Sequence, residues 1–280
     1  MAPGFPTIPG TSIEIVAPPQ RGLIRHALFD FDGTLSYLRD GWQDFMVPLL
    51  VEVLAACPRS EGPRELERLV VDFVDHLTGK QTIYQMIRLA EEVTRRGGTP
   101  LDPLEYKREY YRRMQSEIEQ RLADLRSGRA ARESFLVPGA VAFLEGLAGR
   151  NVRLYLASGT DIEFVKEETA ALGLDGYFAG GIFGAVPNYR EFSKEKVIRK
   201  IIEDFHLQGA ELLVVGDGYV EIQNGRDVHA VTAGVYAPEK NRYHMNADKR
   251  ERLLRAGAHL LMPDLREGAA LLEYLQVGRG

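Results

Sequence analysis

The stretch His26-Ala27-Leu28-Phe29-Asp30-Phe31-Asp32-Gly33-Thr34-Leu35 decides how the chain is read. An apolar run of strand character ends in two carboxylates, then in a glycine that lets the backbone turn sharply. In an extended chain residues i and i+2 share a side, so Asp30 and Asp32 project together while Phe31 points the other way, into packing. Burying two acids at the carboxyl end of a strand is expensive without a cation or hydrogen-bond donors. A solvated acidic turn is the competing reading, and a DxDG string is only moderately specific. The rest of the chain has to decide.

On the N-terminal side, residues 1–21 are rich in proline and glycine and read as a tail laid on the surface, with a short edge strand within 12–16. On the C-terminal side the pattern turns helical from 36 to 135. Trp42, Phe45, Met46, Leu49, Leu50, Val53 and Leu54 form one face of an amphipathic helix, with a kink or restart expected at Pro48. Leu66, Leu69, Val70, Phe73 and Leu77 give a second helix, broken at Thr78-Gly79-Lys80. Ile83, Ile87, Ala90 and Val93 give a third, closed by Gly97-Gly98. Asp102-Pro103 opens a fourth as N-cap and first-turn proline, with Tyr111, Met114, Ile118, Leu122 and Leu125 as its stripe. These stripes read as mutual packing in an all-helical module.

After Pro138-Gly139 strands and helices alternate, as in α/β proteins. Val152 to Ala157 reads as a strand ended by Ser158-Gly159-Thr160, with a helix starting near Asp161. A strand at Gly181-Ile182-Phe183 precedes a helix from Lys194, capped by Ser193. Leu212 to Val215 is a short, continuously apolar strand of the central parallel kind, ending in Gly216-Asp217-Gly218-Tyr219-Val220-Glu221. Further strands are expected at 228–235 and 259–262, with helices at 249–255 and 265–275.

The acids, hydroxyl and lysine of this pattern stand at strand ends or helix starts, and in open parallel sheets the carboxyl ends of strands share one ligand-binding edge. Carboxylates beside a lysine, a serine and a helix N-terminus suit a divalent cation and a phosphate. Singly, each has a plainer reading: Ser158-Gly159-Thr160 as a turn, Lys194 as a surface lysine, Gly216-Asp217-Gly218 as a tight turn. Their joint occurrence in this order favours the site. Other signatures fail: Leu156 stands where a GxSxG elbow needs glycine, and Val74 where a P-loop does.

Composition narrows the classes. The chain has 280 residues, a net charge of −5 and one cysteine, so no nucleic-acid-binding surface, internal disulfide or cysteine metal cluster is expected. Cys57 reads as a buried spectator, the scattered histidines argue against zinc, and no apolar run is long enough to span a bilayer. The N-terminus shows no secretory signal, so a cytoplasmic monomer or homodimer is expected.

These motifs resemble the haloacid dehalogenase-like superfamily of phosphohydrolases. DxDGT at Asp30 to Thr34 matches its first motif, Ser158 after an apolar strand its second, and Lys194 with GDGxxE, ending at Glu221, its third and fourth; Glu221 stands where Asp is common. Among Lys194, Lys196 and Lys200, the first-turn position favours Lys194. The resemblance implies a Rossmann-like parallel-sheet core (22–35 and 136–280) with an inserted helical type-1 cap (36–135). It also implies a phosphatase acting on a small phosphorylated metabolite, a sugar phosphate or similar monoester. Asp30 would be the nucleophile and Asp32 the general acid and base. Mg²⁺ would be held by Asp30, Asp217 and the Asp32 backbone carbonyl, with Glu221 acting through water; Ser158, Gly159, Gly33 and Lys194 would bind phosphate. Within the cap, Lys80 and Gln81 are the expected readers of the substrate. A phosphomutase and a catalytically silent binding module are the rival readings.

Overall fold

Ala27, Leu28 and Phe29 are fully buried in the computed structural model, which describes residues 4–239 and 249–278. Residues 1–3, 240–248 and 279–280, parts of the expected tail and core, lie outside the described residues. In chain order the elements are β1 (Glu14–Ile15), β2 (His26–Phe29), α1 (Gln43–Ala55), α2 (Pro63–Leu77), α3 (Ile83–Arg95), α4 (Pro103–Arg126), α5 (Ala140–Ala148), β3 (Arg153–Asp161), α6 (Ile162–Ala171), β4 (Gly181–Ala185), α7 (Lys194–Asp204), β5 (Leu212–Gly216), α8 (Tyr219–Asp227), β6 (Val231–Val235), α9 (Lys249–Arg255), β7 (Leu260–Met262) and α10 (Gly268–Tyr274). The α/β class read from the sequence is the one the chain adopts.

The strands form one sheet in the order β1-β7-β6-β5-β2-β3-β4, parallel except for β1 at the edge. β2 is apolar on both faces because helices cover both. Leu28 packs with Ile198 and Ile201 of α7, whereas Ala27 and Phe29 pack with Phe143 of α5 and Leu271 of α10. Strand order reverses around β2, whose neighbours are β5 and β3, and a ligand crevice forms at such a switch point. Register sharpens this: Phe29 pairs with Val215 on one side and Leu156 on the other. Asp30, Asp217 and Ser158 therefore leave the sheet at nearly the same height.

Helices α1–α5 lie in the chain between β2 and β3, with no named strand among them. α1 runs through Pro48 without the expected restart. A proline inside a helix costs about 3 kcal/mol, but Met46, Val47, Leu49, Leu50 and Leu54 are all buried. At roughly 1.5–3 kcal/mol for each large apolar side chain, that burial outweighs the missing bond. Two further readings change. Cys57 lies beyond the α1 C-cap and is only half-buried. β3 does not end at Ser158 but continues to Asp161, its ladder with β4 broken between Ala157 and Asp161. Among the described residues, no helix is long and apolar enough to cross a membrane.

Candidate active site

Each polar side chain reaches the crevice by a local device. Asp30 follows β2 directly and its N–H still donates to the Val215 carbonyl at 3.0 Å. Gly33 adopts φ 74°, a left-handed conformation that suits glycine, and a side chain there would run into the carboxylates of Asp217 and Glu239. The break in the β3 ladder turns Ser158 and Thr160 toward Asp32, whose Oδ2 accepts from both hydroxyls at 3.2 and 2.9 Å. Oδ1 of Asp32 is buried without a partner. Ser193 caps α7 by accepting from the Lys196 N–H at 3.1 Å, which sets Lys194 at the first helical position. Glu221, in the first turn of α8, accepts from the Gly218 N–H at 2.6 Å.

Lys194 is the centre of the charges. Its Nζ lies 2.8 Å from Asp30 Oδ1 and 2.9 Å from Glu221 Oε2, with all three side chains almost fully buried. Lys196, by contrast, is exposed and bonds the Arg190 carbonyl. Burial alone would lower the Lys194 pKa, but Asp30 and Glu221 raise it well above the ordinary lysine value. Burial pushes Asp30 well above the usual carboxylate range; Lys194 opposes this, while Glu221 and Asp217 add to it. Burial also raises Asp32, against the pull of Arg39, Thr160 and Ser158. One carboxylate oxygen from each of Asp30, Asp217 and Glu221 lies within 4.8 Å of the others. Three crowded, desolvated carboxylates form an all-oxygen donor set that a hard divalent cation fits.

A cavity of about 100 Å³ lies over these groups, lined by Asp30, Asp32, Gly33, Ser158, Gly159, Lys194 and Asp217 from the sheet side and by Lys80 from the insertion. Glu221 sits behind Lys194 rather than on the wall. Gln81 does not line this cavity. It lines a second one of about 270 Å³ on the far side of the Lys80 segment, and its Nε2 donates to the carbonyls of Tyr189 and Phe192 at 2.9 and 2.8 Å. The physical reason is close packing: a side chain at Gly159 would come within 2.6 Å of the Lys80 carbonyl. Backbone thus meets backbone there, and the next side chain turns away.

Sequence reasoning missed five neighbours. Thr34 Oγ1 reaches Asp217 Oδ1 at 3.3 Å. Lys249, at the start of α9, lies 2.6 Å from Asp217 Oδ2 and 2.9 Å from Glu239 Oε1. Burial raises the Asp217 pKa, but Lys249 outweighs it and holds the group below its usual value. Arg39 is buried and held by Glu168 through Nε and Nη2 at 3.2 and 2.5 Å. Thr34 was legible in the first motif. Lys249, Glu239, Arg39 and Glu168 have no local signature, because their partners are fixed only by the closed fold.

A family model for haloacid dehalogenase-like hydrolases matches residues 24–229. No curated protein matches significantly. Among solved structures, a predicted phosphoglycolate phosphatase from Haemophilus somnus is similar with a TM-score of 0.57 and 18% identity, over 88% of this chain and 96% of that one. β-Phosphoglucomutase from Clostridium difficile gives 0.58 and 13%, over 90% and 97%. A hydrolase from Pseudomonas syringae gives 0.56 and 20%, over 90% and 98%. Identities this low show a shared fold.

Proposed function

Because the chain belongs to the haloacid dehalogenase-like hydrolases, we propose that it is a Mg²⁺-dependent phosphatase of small phosphorylated metabolites. The observation that carries this reading is Asp30, held by Lys194 among the carboxylates of Asp217 and Glu221, with the unpartnered oxygen of Asp32 in the same cavity. Asp30 attacks phosphorus, the bond to the leaving oxygen breaks, and an aspartyl-phosphate forms. Asp32 gives its proton to the leaving alcohol, then accepts one from the water that releases inorganic phosphate. Lys194, the Ser158 hydroxyl and the amides around Gly33 and Gly159 bind the transferring oxygens. Asp30, Asp217, Glu221 and the Asp32 backbone carbonyl would hold Mg²⁺, which supplies the positive charge that lets an anionic nucleophile meet an anionic phosphate. The helical insertion acts as a cap that shuts the chamber against water.

Release of inorganic phosphate from p-nitrophenyl phosphate and a panel of phosphometabolites, with Mg²⁺ and with EDTA, tests this. Mg²⁺-dependent release is expected. Phosphate moved to another hydroxyl without release would make the protein a phosphomutase, and no turnover of any substrate would overturn the phosphatase reading.

A further inference from the structure

We propose that the chamber accepts an uncharged, hydroxyl-bearing leaving group, and that Glu168 enforces this choice by cancelling the charge of Arg39. The inference rests on the phosphatase reading and names its substrate class: the phosphomonoester of a neutral polyhydroxy compound. Neither residue lies in the motifs that resemble the family.

Charge comes first. Arg39 is a buried cation that lines the cavity beside Lys194, and Glu168 takes its Nε and Nη2 with both carboxylate oxygens. Their side chains are 7% and 1% exposed, and the guanidinium carbon sits 5.3 Å from the Phe164 ring centroid. Burial pushes the Glu168 carboxyl up to about 7 against the pull of Arg39, and with Glu168 ionised the pair presents a net charge of zero. Lys107 of α4, the next buried cation, is committed to Asp161. Lys80 stands exposed at the rim, and Asp40 adds a carboxylate to the wall. A second anion on the substrate, carboxylate or phosphate, would lose its water and meet no uncompensated buried cation among the described lining residues. Such burial is strongly unfavourable.

Hydroxyl groups fare better. Gln85 lines the cavity and is buried, and its Oε1 has no donor. The amide orientation is fixed because Nε2 donates to the Leu77 carbonyl at 3.4 Å. A buried acceptor without a donor costs free energy that a substrate hydroxyl would recover. Trp42, Tyr110 and Tyr111 supply apolar faces around it, the mix of apolar wall and few polar groups that suits a small uncharged ligand.

The test compares kcat/KM on a hexitol monophosphate, phosphoglycolate and p-nitrophenyl phosphate, with Mg²⁺. Wild type should favour the hexitol ester over phosphoglycolate by about tenfold or more. Glu168→Gln keeps the shape but frees the Arg39 charge, so the ratio of phosphoglycolate to p-nitrophenyl phosphate should rise about tenfold, through KM. Glu168→Asp should return it toward wild type. Gln85→Leu should cost the hexitol ester about tenfold more than p-nitrophenyl phosphate; it also serves if the Glu168 variants do not fold. A wild-type preference for the acidic substrate, or variants that slow all three esters alike, would overturn the proposal while p-nitrophenyl phosphate turnover leaves the phosphatase reading standing. No hydrolysis of p-nitrophenyl phosphate or any other ester would remove both.

Discussion

At the scale of single residues, Asp30 has a conflict built into it. As the proposed nucleophile it must be ionised, yet burial and two neighbouring carboxylates favour its neutral form, and Lys194 opposes them. Asp30→Asn removes that conflict along with the proposed nucleophile. We expect kcat to fall by about a thousandfold or more, while the melting temperature stays level or rises, because the amide relieves crowding with Glu221 and Asp217. Activity within tenfold of wild type would take Asp30 out of the nucleophile's role. Lys194→Met should behave differently: it leaves two buried acids without their cation, which costs about 3–5 kcal/mol. Thermal unfolding of the two variants side by side checks the contrast. Asp30, Lys194, Asp217 and Glu221 could be picked from the sequence because each is tied to a strand end or a helix start. Arg39, Glu168, Glu239 and Lys249 could not, since nothing local to them predicts which charge they will face.

At the scale of elements, the segment between α2 and α3 lines the cavity through Gly79 and Lys80, while Gln81 faces a second cavity. Both Lys80 and Gln81 were expected to read the substrate. The close approach of Lys80 to Gly159 sends Gln81 to the carbonyls of Tyr189 and Phe192, so it fastens insertion to core. Alternation along a strap depends on what the strap rests against, and that is a tertiary fact. Two net hydrogen bonds at roughly 0.5–1.5 kcal/mol each bias closure by about 1–3 kcal/mol. Gln81→Ala should therefore weaken kcat/KM by about five- to a hundredfold for all esters alike, whereas Lys80→Ala should discriminate between substrates. Gly159→Ala places a methyl group against the Lys80 carbonyl, so the strap must shift, and the variant should raise KM and lower the melting temperature. An unchanged KM would mean that the strap lifts freely. The helix does not restart at Pro48 for a related reason, since a packed face holds a helix together where its own bonds do not.

At the scale of the molecule, the α/β alternation was legible in the sequence, but the strand order and the charge balance emerge only when five chain segments meet. Asp30, Asp32, Asp217 and Glu239 line the cavity, with Glu221 behind it, and the ammonium groups set among them are Lys194 and Lys249. Part of the negative charge is thus answered by the protein and part is left for a cation. A cation bound only by the folded state stabilises it by mass action, about 2.7 kcal/mol at a hundred times its dissociation constant. For a domain of this size that is about 5–10 °C in melting temperature. Mg²⁺ should produce such a shift in the absence of any substrate, EDTA should reverse it, and Asp217→Asn should abolish most of it. Ca²⁺ should also stabilise the fold but fail to support phosphate release, because it takes more ligands at longer distances and engages the attacking oxygen of Asp30. A melting temperature indifferent to both ions would mean that Lys194 and Lys249 neutralise the cluster by themselves, and the metal assignment would fall.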